Sequence, residues 1–162
     1  YRATGGYGQV TGLVDMRTIS GLTPLHFAAH VKQPGVAKLL LDAGAHSLGT
    51  LRDDAFDLVT CPIGTTPLHL AAYVGNMDTS LEILKSYLER RDTGSVRDPR
   101  HALDRAGKTP YQVAHARRHT MLQELLHPLC NLDSLFAPGE VEQWGVPKLG
   151  VLCAAALKRH LL

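Results

Sequence analysis

Gly21-Leu22-Thr23-Pro24-Leu25-His26-Phe27-Ala28-Ala29 and Gly64-Thr65-Thr66-Pro67-Leu68-His69-Leu70-Ala71-Ala72 are two versions of one nine-residue phrase, 43 residues apart. A looser third version, Gly107-Lys108-Thr109-Pro110-Tyr111-Gln112-Val113-Ala114-His115, begins after another 43 residues. Self-similarity at a fixed period is the signature of a repeat array, in which each unit buries its apolar face against its neighbours. The phrase also has local logic. A threonine hydroxyl can accept a hydrogen bond from an orphan amide at a helix start, and proline in the first helical position has no amide to lose. The paired alanines then permit close helix contact.

The three phrases resemble the ankyrin repeat, whose T-P-L-H-x-A signature the first two carry in full and the third in part. The resemblance covers residues 19–128 and implies an all-α fold. The expected fold is an ankyrin-repeat solenoid of helix-turn-helix units with long finger loops and a C-terminal capping helix. Repeats are placed at 19–63, 64–106 and 107–128, preceded at 1–18 by the remnant of an earlier repeat or a linker, and followed at 129–162 by an extension. Helix pairs are predicted near Pro24–Ala29 with Pro34–Ala43, Pro67–Val74 with Met77–Arg90, and Pro110–Arg117 with Met121–Leu126. The outer helices draw their apolar positions from Val36, Leu39, Leu40 and Leu41, from Leu81, Leu84 and Leu88, and from Leu122, Leu125 and Leu126. Gly44 reads as a left-handed stop for the first outer helix, and Gly75-Asn76 as the turn inside the second unit. Lys32 and Arg118 stand where the family places the turn glycine. Asp15 stands where it often places an acid.

An ankyrin unit is about 33 residues long, so each 43-residue step holds roughly ten extra. In the first step they fall between Gly44 and Gly64, a finger containing Arg52, Asp53, Asp54 and Phe56; in the second, most fall between Asp92 and Ala106. Beyond His127-Pro128 the pattern fades through Pro138-Gly139. Leu149, Leu152, Cys153, Ala156, Leu157 and Leu161 then form one helical stripe, the expected capping helix.

Composition excludes several classes. A chain with 44% hydrophobic and 20% charged residues has enough apolar content for a core, and its net charge of +2 lacks the cationic excess expected of a nucleic-acid protein. Cys61, Cys130 and Cys153 are odd in number and unpaired in spacing, which argues against a disulfide framework and favours a reducing compartment, the cytosol or nucleus. No apolar run reaches the length of a membrane span, so no membrane insertion is expected. The sequence opens at Tyr1 without methionine and reads as a fragment.

No constellation points to catalysis, a metal or a cofactor. The resemblance gives His26 and His69 the task of hydrogen-bonding the repeat's own backbone. His115 and His119 have i, i+4 spacing, but Ala116-Arg117-Arg118 between them supplies cations and no glutamate. Gly5-Gly6-Tyr7-Gly8 lacks the G-x-G-x-x-G spacing and a following helix, and no nucleophile elbow occurs. The chain is therefore read as no enzyme. Charge is asymmetric: residues 85–119 hold nine Lys or Arg against four acids, whereas the first finger sets Asp53, Asp54 and Asp57 against Arg52.

The expected function is that of a protein-interaction scaffold, a monomer binding another protein through its concave face. In the family, the two residues after the paired alanines face that groove. They correspond here to His30 and Val31, Tyr73 and Val74, and Ala116 and Arg117. The candidate partner-binding set is His30, Val31, Arg52, Asp53, Asp54, Phe56, Tyr73, Val74 and Arg117, with Tyr73 and Arg117 the best anchors by residue type. The alternative is a substrate-recruiting segment of a larger enzyme such as a ubiquitin ligase or kinase. The third phrase, running on to Leu126-His127-Pro128, is similar to the last repeat of plant RING-type ankyrin ubiquitin ligases, although no RING-like array of paired cysteines is present to carry ligase activity.

Overall fold

The computed structural model describes residues 12–50, 62–94 and 96–136, and these form three stacked pairs of antiparallel helices. The pairs are α1 (Pro24–His30) with α2 (Pro34–Asp42), α3 (Pro67–Val74) with α4 (Met77–Arg90), and α5 (Pro110–Ala116) with α6 (Thr120–Leu126). A four-residue helix, α7 (Leu132–Leu135), follows. The described residues contain no strand. Inner helices α1, α3 and α5 pack side by side in one layer, and α2 packs on α4 in a second. The expected C-terminal helix from Leu149, the glycine run Gly5–Gly8, and finger residues Arg52, Asp53, Asp54 and Phe56 lie outside the described residues.

Each inner helix starts as its sequence dictates. Thr23, Thr66 and Thr109 are N-caps in extended conformation, with proline in the first turn and a reciprocal capping box to the third helical residue. The turn inside each unit also repeats. Lys32, Gly75 and Arg118, in register, all take positive φ, 56°, 72° and 60°. Non-glycine residues tolerate this poorly, yet only the middle copy requires glycine. A Cβ on Gly75 would stand 2.7 Å from the His119 ring of the next repeat. Lys32 and Arg118 therefore keep the family's backbone without its residue. Gly44 is left-handed as expected, at φ 96°, and Asp15 accepts the His46 N–H at 2.9 Å.

The core runs unbroken through all three units, from Val14 and Leu25 through Leu68, Ile83 and Leu84 to Leu125, Leu126 and Leu135. One expectation is corrected here. Val36 and Leu39 were assigned to the buried stripe of the first outer helix, but they are 46% and 70% exposed. Of their equivalents one and two periods on, Thr79 at 0%, Leu122 at 2% and Leu125 at 0% are closed off, while Glu82 is half-buried. Periodicity identified apolar positions, but burial there is set by what packs on each helix, and before α1 the described residues hold a single helical turn at 12–14. In α2 the core is instead Ala37 and Leu41, with Leu40 packed partly against it.

The enlarged second finger contributes an anchor that sequence reading missed. Its two 3-10 turns, Arg91–Thr93 and Pro99–His101, position Arg100, which is 7% exposed. The Arg100 guanidinium pairs with Asp98 at 2.6 Å and donates from Nη1 to the carbonyls of His127, at 3.2 Å, and Cys130, at 2.9 Å. It thereby ties the finger to the turn between α6 and α7, where the His127 carbonyl also accepts from the Cys130 N–H at 2.9 Å. Arg91 adds a two-pronged exposed pair with Asp133, at 2.6 and 3.0 Å.

These burial differences predict unequal losses. Leu84→Ala, at a fully buried site, is expected to cost about 2–5 kcal/mol in urea unfolding. Leu39→Ala is expected to stay within about 0.5 kcal/mol, as at a surface site. Equal losses at the two positions would show that α2 has a covering layer.

Candidate functional site: the concave corner between inner helices and fingers

Three sets of residues recur in register on the inner helices and just after them: Phe27, Leu70 and Val113; His30, Tyr73 and Ala116; and Val31, Val74 and Arg117, all at least partly exposed except the buried Leu70. They are held in register by hydrogen bonds that cross between repeats in both directions. Going forward, His26 Nε2 reaches the Thr65 carbonyl at 3.2 Å and His69 Nε2 the Lys108 carbonyl at 2.9 Å. Going back, Asn76 Nδ2 donates to the Ala29 carbonyl at 2.8 Å, and His119 Nε2 meets the Tyr73 carbonyl at 3.2 Å.

The histidine tautomer follows from its partners. A carbonyl only accepts, so Nε2 of His26 and His69 carries the proton and Nδ1 is the acceptor. Nδ1 of His26 takes the Thr23 N–H at 3.1 Å and lies 2.9 Å from Thr23 Oγ1; Nδ1 of His69 takes the Thr66 N–H at 3.3 Å and lies 2.8 Å from Thr66 Oγ1. A second proton on either ring would break that capping contact inside the core. Burial, the largest cause, pushes the His26 pKa down to about 4, opposed by the Thr65 carbonyl and assisted by the Arg17 and His69 charges. Burial likewise lowers His69, against the Lys108 carbonyl and the Asp104 charge. Both rings are neutral struts, unsuited to proton transfer near neutral pH.

Tyr73 and Arg117, the two expected anchors, come together. The Arg117 guanidinium carbon lies 4.0 Å from the Tyr73 ring centroid, and Arg117 Nε–H donates to the Tyr73 carbonyl at 3.4 Å. A guanidinium over an aromatic face gains a cation–π attraction. Beside this pair is a cavity of about 250 Å³ lined by Pro62, Thr65, His69, Asp104, Lys108, Val113 and Ala116. Its far wall is a finger turn fixed by Lys108 N–H to Asp104 Oδ1 at 2.9 Å, Asp104 N–H to the Lys108 carbonyl at 3.0 Å, and Arg105 N–H to the Ile63 carbonyl at 2.8 Å.

Of the other expected residues, His30, Val31 and Val74 do not line this cavity. His30 is half-buried, its Nδ1 without a hydrogen-bond partner among the described residues, and Val31 is exposed. Asp104, Lys108, Val113 and Pro62 were missed by sequence reading. The 43-residue register carried the available signal, because it sets the base of the second finger opposite the first and brings Lys108 to His69. The described residues hold no cluster of His, Cys, Asp or Glu suited to a metal ion, and no helix among them is long and apolar enough to cross a membrane.

Residues 20–53 and 63–96 each match the ankyrin repeat family model. These two segments are ankyrin repeats. The chain's third helix pair lies beyond the matched segments but reproduces their N-cap, left-handed turn and stacking. No curated protein matches the chain. Ankyrin repeats are generally modules that bind other proteins, and typically not catalysts.

The buried histidines give the ankyrin array a pH dependence of definite sign. Their native pKa values lie below the unfolded value, so the unfolded chain binds more protons and stability falls as pH drops below about 6.5. For His26, with a native pKa of about 4, the loss between pH 7 and pH 5 is about 2 kcal/mol. His26→Gln should flatten that slope, since Gln112 in the third repeat completes the same capping box without titrating. Parallel urea midpoints for the two chains from pH 7 to 5 would overturn the assignment.

Proposed function

We propose that the chain is a protein-binding scaffold whose partner lies along the concave face of its ankyrin repeats, contacting His30, Val31, Tyr73, Val74 and Arg117 and the first-finger residues Arg52, Asp53, Asp54 and Phe56. The observation that carries this reading is the Tyr73–Arg117 pair. It sets an aromatic ring and a guanidinium at 4.0 Å on the groove face, beside a cavity that no described side chain fills. Tyrosine and arginine are the residue types on which binding energy concentrates. The supporting structure is rigid: the Tyr73 carbonyl accepts from both Arg117 and His119. The position is also free to vary, because Arg117 is exposed and outside the core. The proposed protein acts as a monomer in the cytosol or nucleus, in keeping with its unpaired cysteine spacing.

The test is to capture a partner with the whole chain and measure binding and melting of variants. Tyr73→Ala and Arg117→Ala should each weaken binding by about 2 kcal/mol or more with little change in melting temperature. Reversing Asp53 and Asp54 to lysine should change the association rate and its salt dependence more than the dissociation rate. Normal binding by all three, with loss on Lys38→Glu and Glu82→Lys in the outer helices, would place the partner on the convex side.

A further inference from the structure

Size and charge together narrow what the concave cavity can hold. At about 250 Å³ it falls below the roughly 300–1,000 Å³ of small-molecule and cofactor sites, so its volume suits the side chain of a bound polypeptide. Its apolar wall is Pro62, Val113 and Ala116.

The polar rim carries an imbalance. Lys108 and Arg117 are exposed cations lining the cavity. The carboxylate facing them, Asp104, is 7% exposed, and its Oδ1 is engaged by the Lys108 N–H. His69 is neutral, with Nε2 committed to the Lys108 carbonyl and Nδ1 to its own helix cap. Arg117 directs Nε to the Tyr73 carbonyl, and its two terminal nitrogens have no partner among the described residues. A guanidinium with its carbon 4.0 Å from a ring centroid, its Nε bonded and its two terminal nitrogens without a partner among the described residues, can receive a carboxylate two-pronged.

We propose that this corner is the docking site for an acidic peptide segment, one in which an Asp or Glu side chain lies next to an apolar residue. The carboxylate accepts hydrogen bonds from the open edge of Arg117 and is attracted by Lys108. The adjoining apolar side chain enters the cavity against Pro62, Val113 and Ala116. The assignment rests on the concave-face reading above and adds to it the chemistry of the partner. A basic segment is disfavoured because it would place a cation against Arg117 and Lys108, and the carboxylate that lines the cavity among the described residues, Asp104, is buried and already bonded. A purely apolar segment would leave the guanidinium edge desolvated and unpaired, which is costly.

The test is selection of a phage-displayed random heptapeptide library on the whole 162-residue chain, followed by titration of the synthetic peptides it yields. Enriched sequences are expected to carry an Asp or Glu within two positions of Leu, Ile, Val, Met or Phe. Replacing that acid by its amide should weaken binding at least tenfold, as should Arg117→Gln in the protein, with an unchanged melting temperature. Ala116→Trp, which fills the cavity from an exposed position, should abolish binding. Peptides without an acid that are still blocked by Ala116→Trp would overturn the acidic-segment assignment and leave the concave reading standing. Peptides indifferent to both variants but lost on Lys38→Glu would overturn both readings. Failure to enrich any peptide would also overturn the assignment, since the cavity is proposed to recognise a short segment by itself.

Discussion

A buried imidazole joins each ankyrin repeat to the next. Its Nδ1 accepts from its own helix cap, and its Nε2–H crosses to a carbonyl at the base of the following finger. One side chain thus fixes both where its helix begins and where the neighbouring unit sits. The cost is desolvation of a polar ring, offset because both nitrogens are bonded. The same commitment holds the rings neutral and removes them from chemistry. It also fixes the concave corner, because the Lys108 carbonyl that receives His69 belongs to the finger turn that walls the cavity. Backward bonds from Asn76 and His119 to Ala29 and Tyr73 close the loop between neighbours. Sliding one unit past another therefore breaks contacts in both directions.

The longer step does not disturb this stacking, since the extra residues enter mostly where the chain connects units, the rest lengthening α4 to 14 residues against 9 in α2. In the second finger they serve a purpose of their own. Asp98, an N-cap of a 3-10 turn through its Oδ1, holds Arg100 flat so that Nη1 can reach two carbonyls after α6. A buried arginine left unpaired would be destabilising, whereas one paired and bonded to carbonyls acts as a clamp. The finger of one repeat therefore closes the far side of the next.

The helix pairs were legible because every signal agreed at those positions: threonine and proline at the start, alanines at the contact, glycine or its stand-in at the turn. Helix limits differ from expectation by a residue or so, as at Ala116 against Arg117. What escaped were properties that depend on a neighbour. Val36 and Leu39 fit the apolar period, yet their burial is set by what packs on them. Arg100 looks in sequence like one more cation in a basic stretch, and only its distance to the His127 and Cys130 carbonyls shows otherwise. Residue type and family position together singled out Tyr73 and Arg117, which lie in contact. Asp104 comes to the same corner from a finger whose path no local pattern encodes, and Lys108, although inside the third phrase, has nothing in its residue type to mark it out.

The third repeat departs from the first two at the very residue that transmits the stacking. Gln112 completes the capping box with Thr109, and its amide ends there, without a ring to extend toward another unit. Around it the outward surface is occupied by contacts internal to the repeat: Tyr111 meets His127 edge-on at 5.1 Å, and Gln123 bridges the Tyr111 hydroxyl and His115. Leu132 and Leu135 of α7 then complete the core on that side. At α2 the opposite holds, with Val36 and Leu39 displayed where Thr79, Leu122 and Leu125 of the later repeats are buried. The two faces of the described array are thus chemically unlike, one closed by substitution of the linking histidine and the other still bearing the apolar residues of a stacking surface.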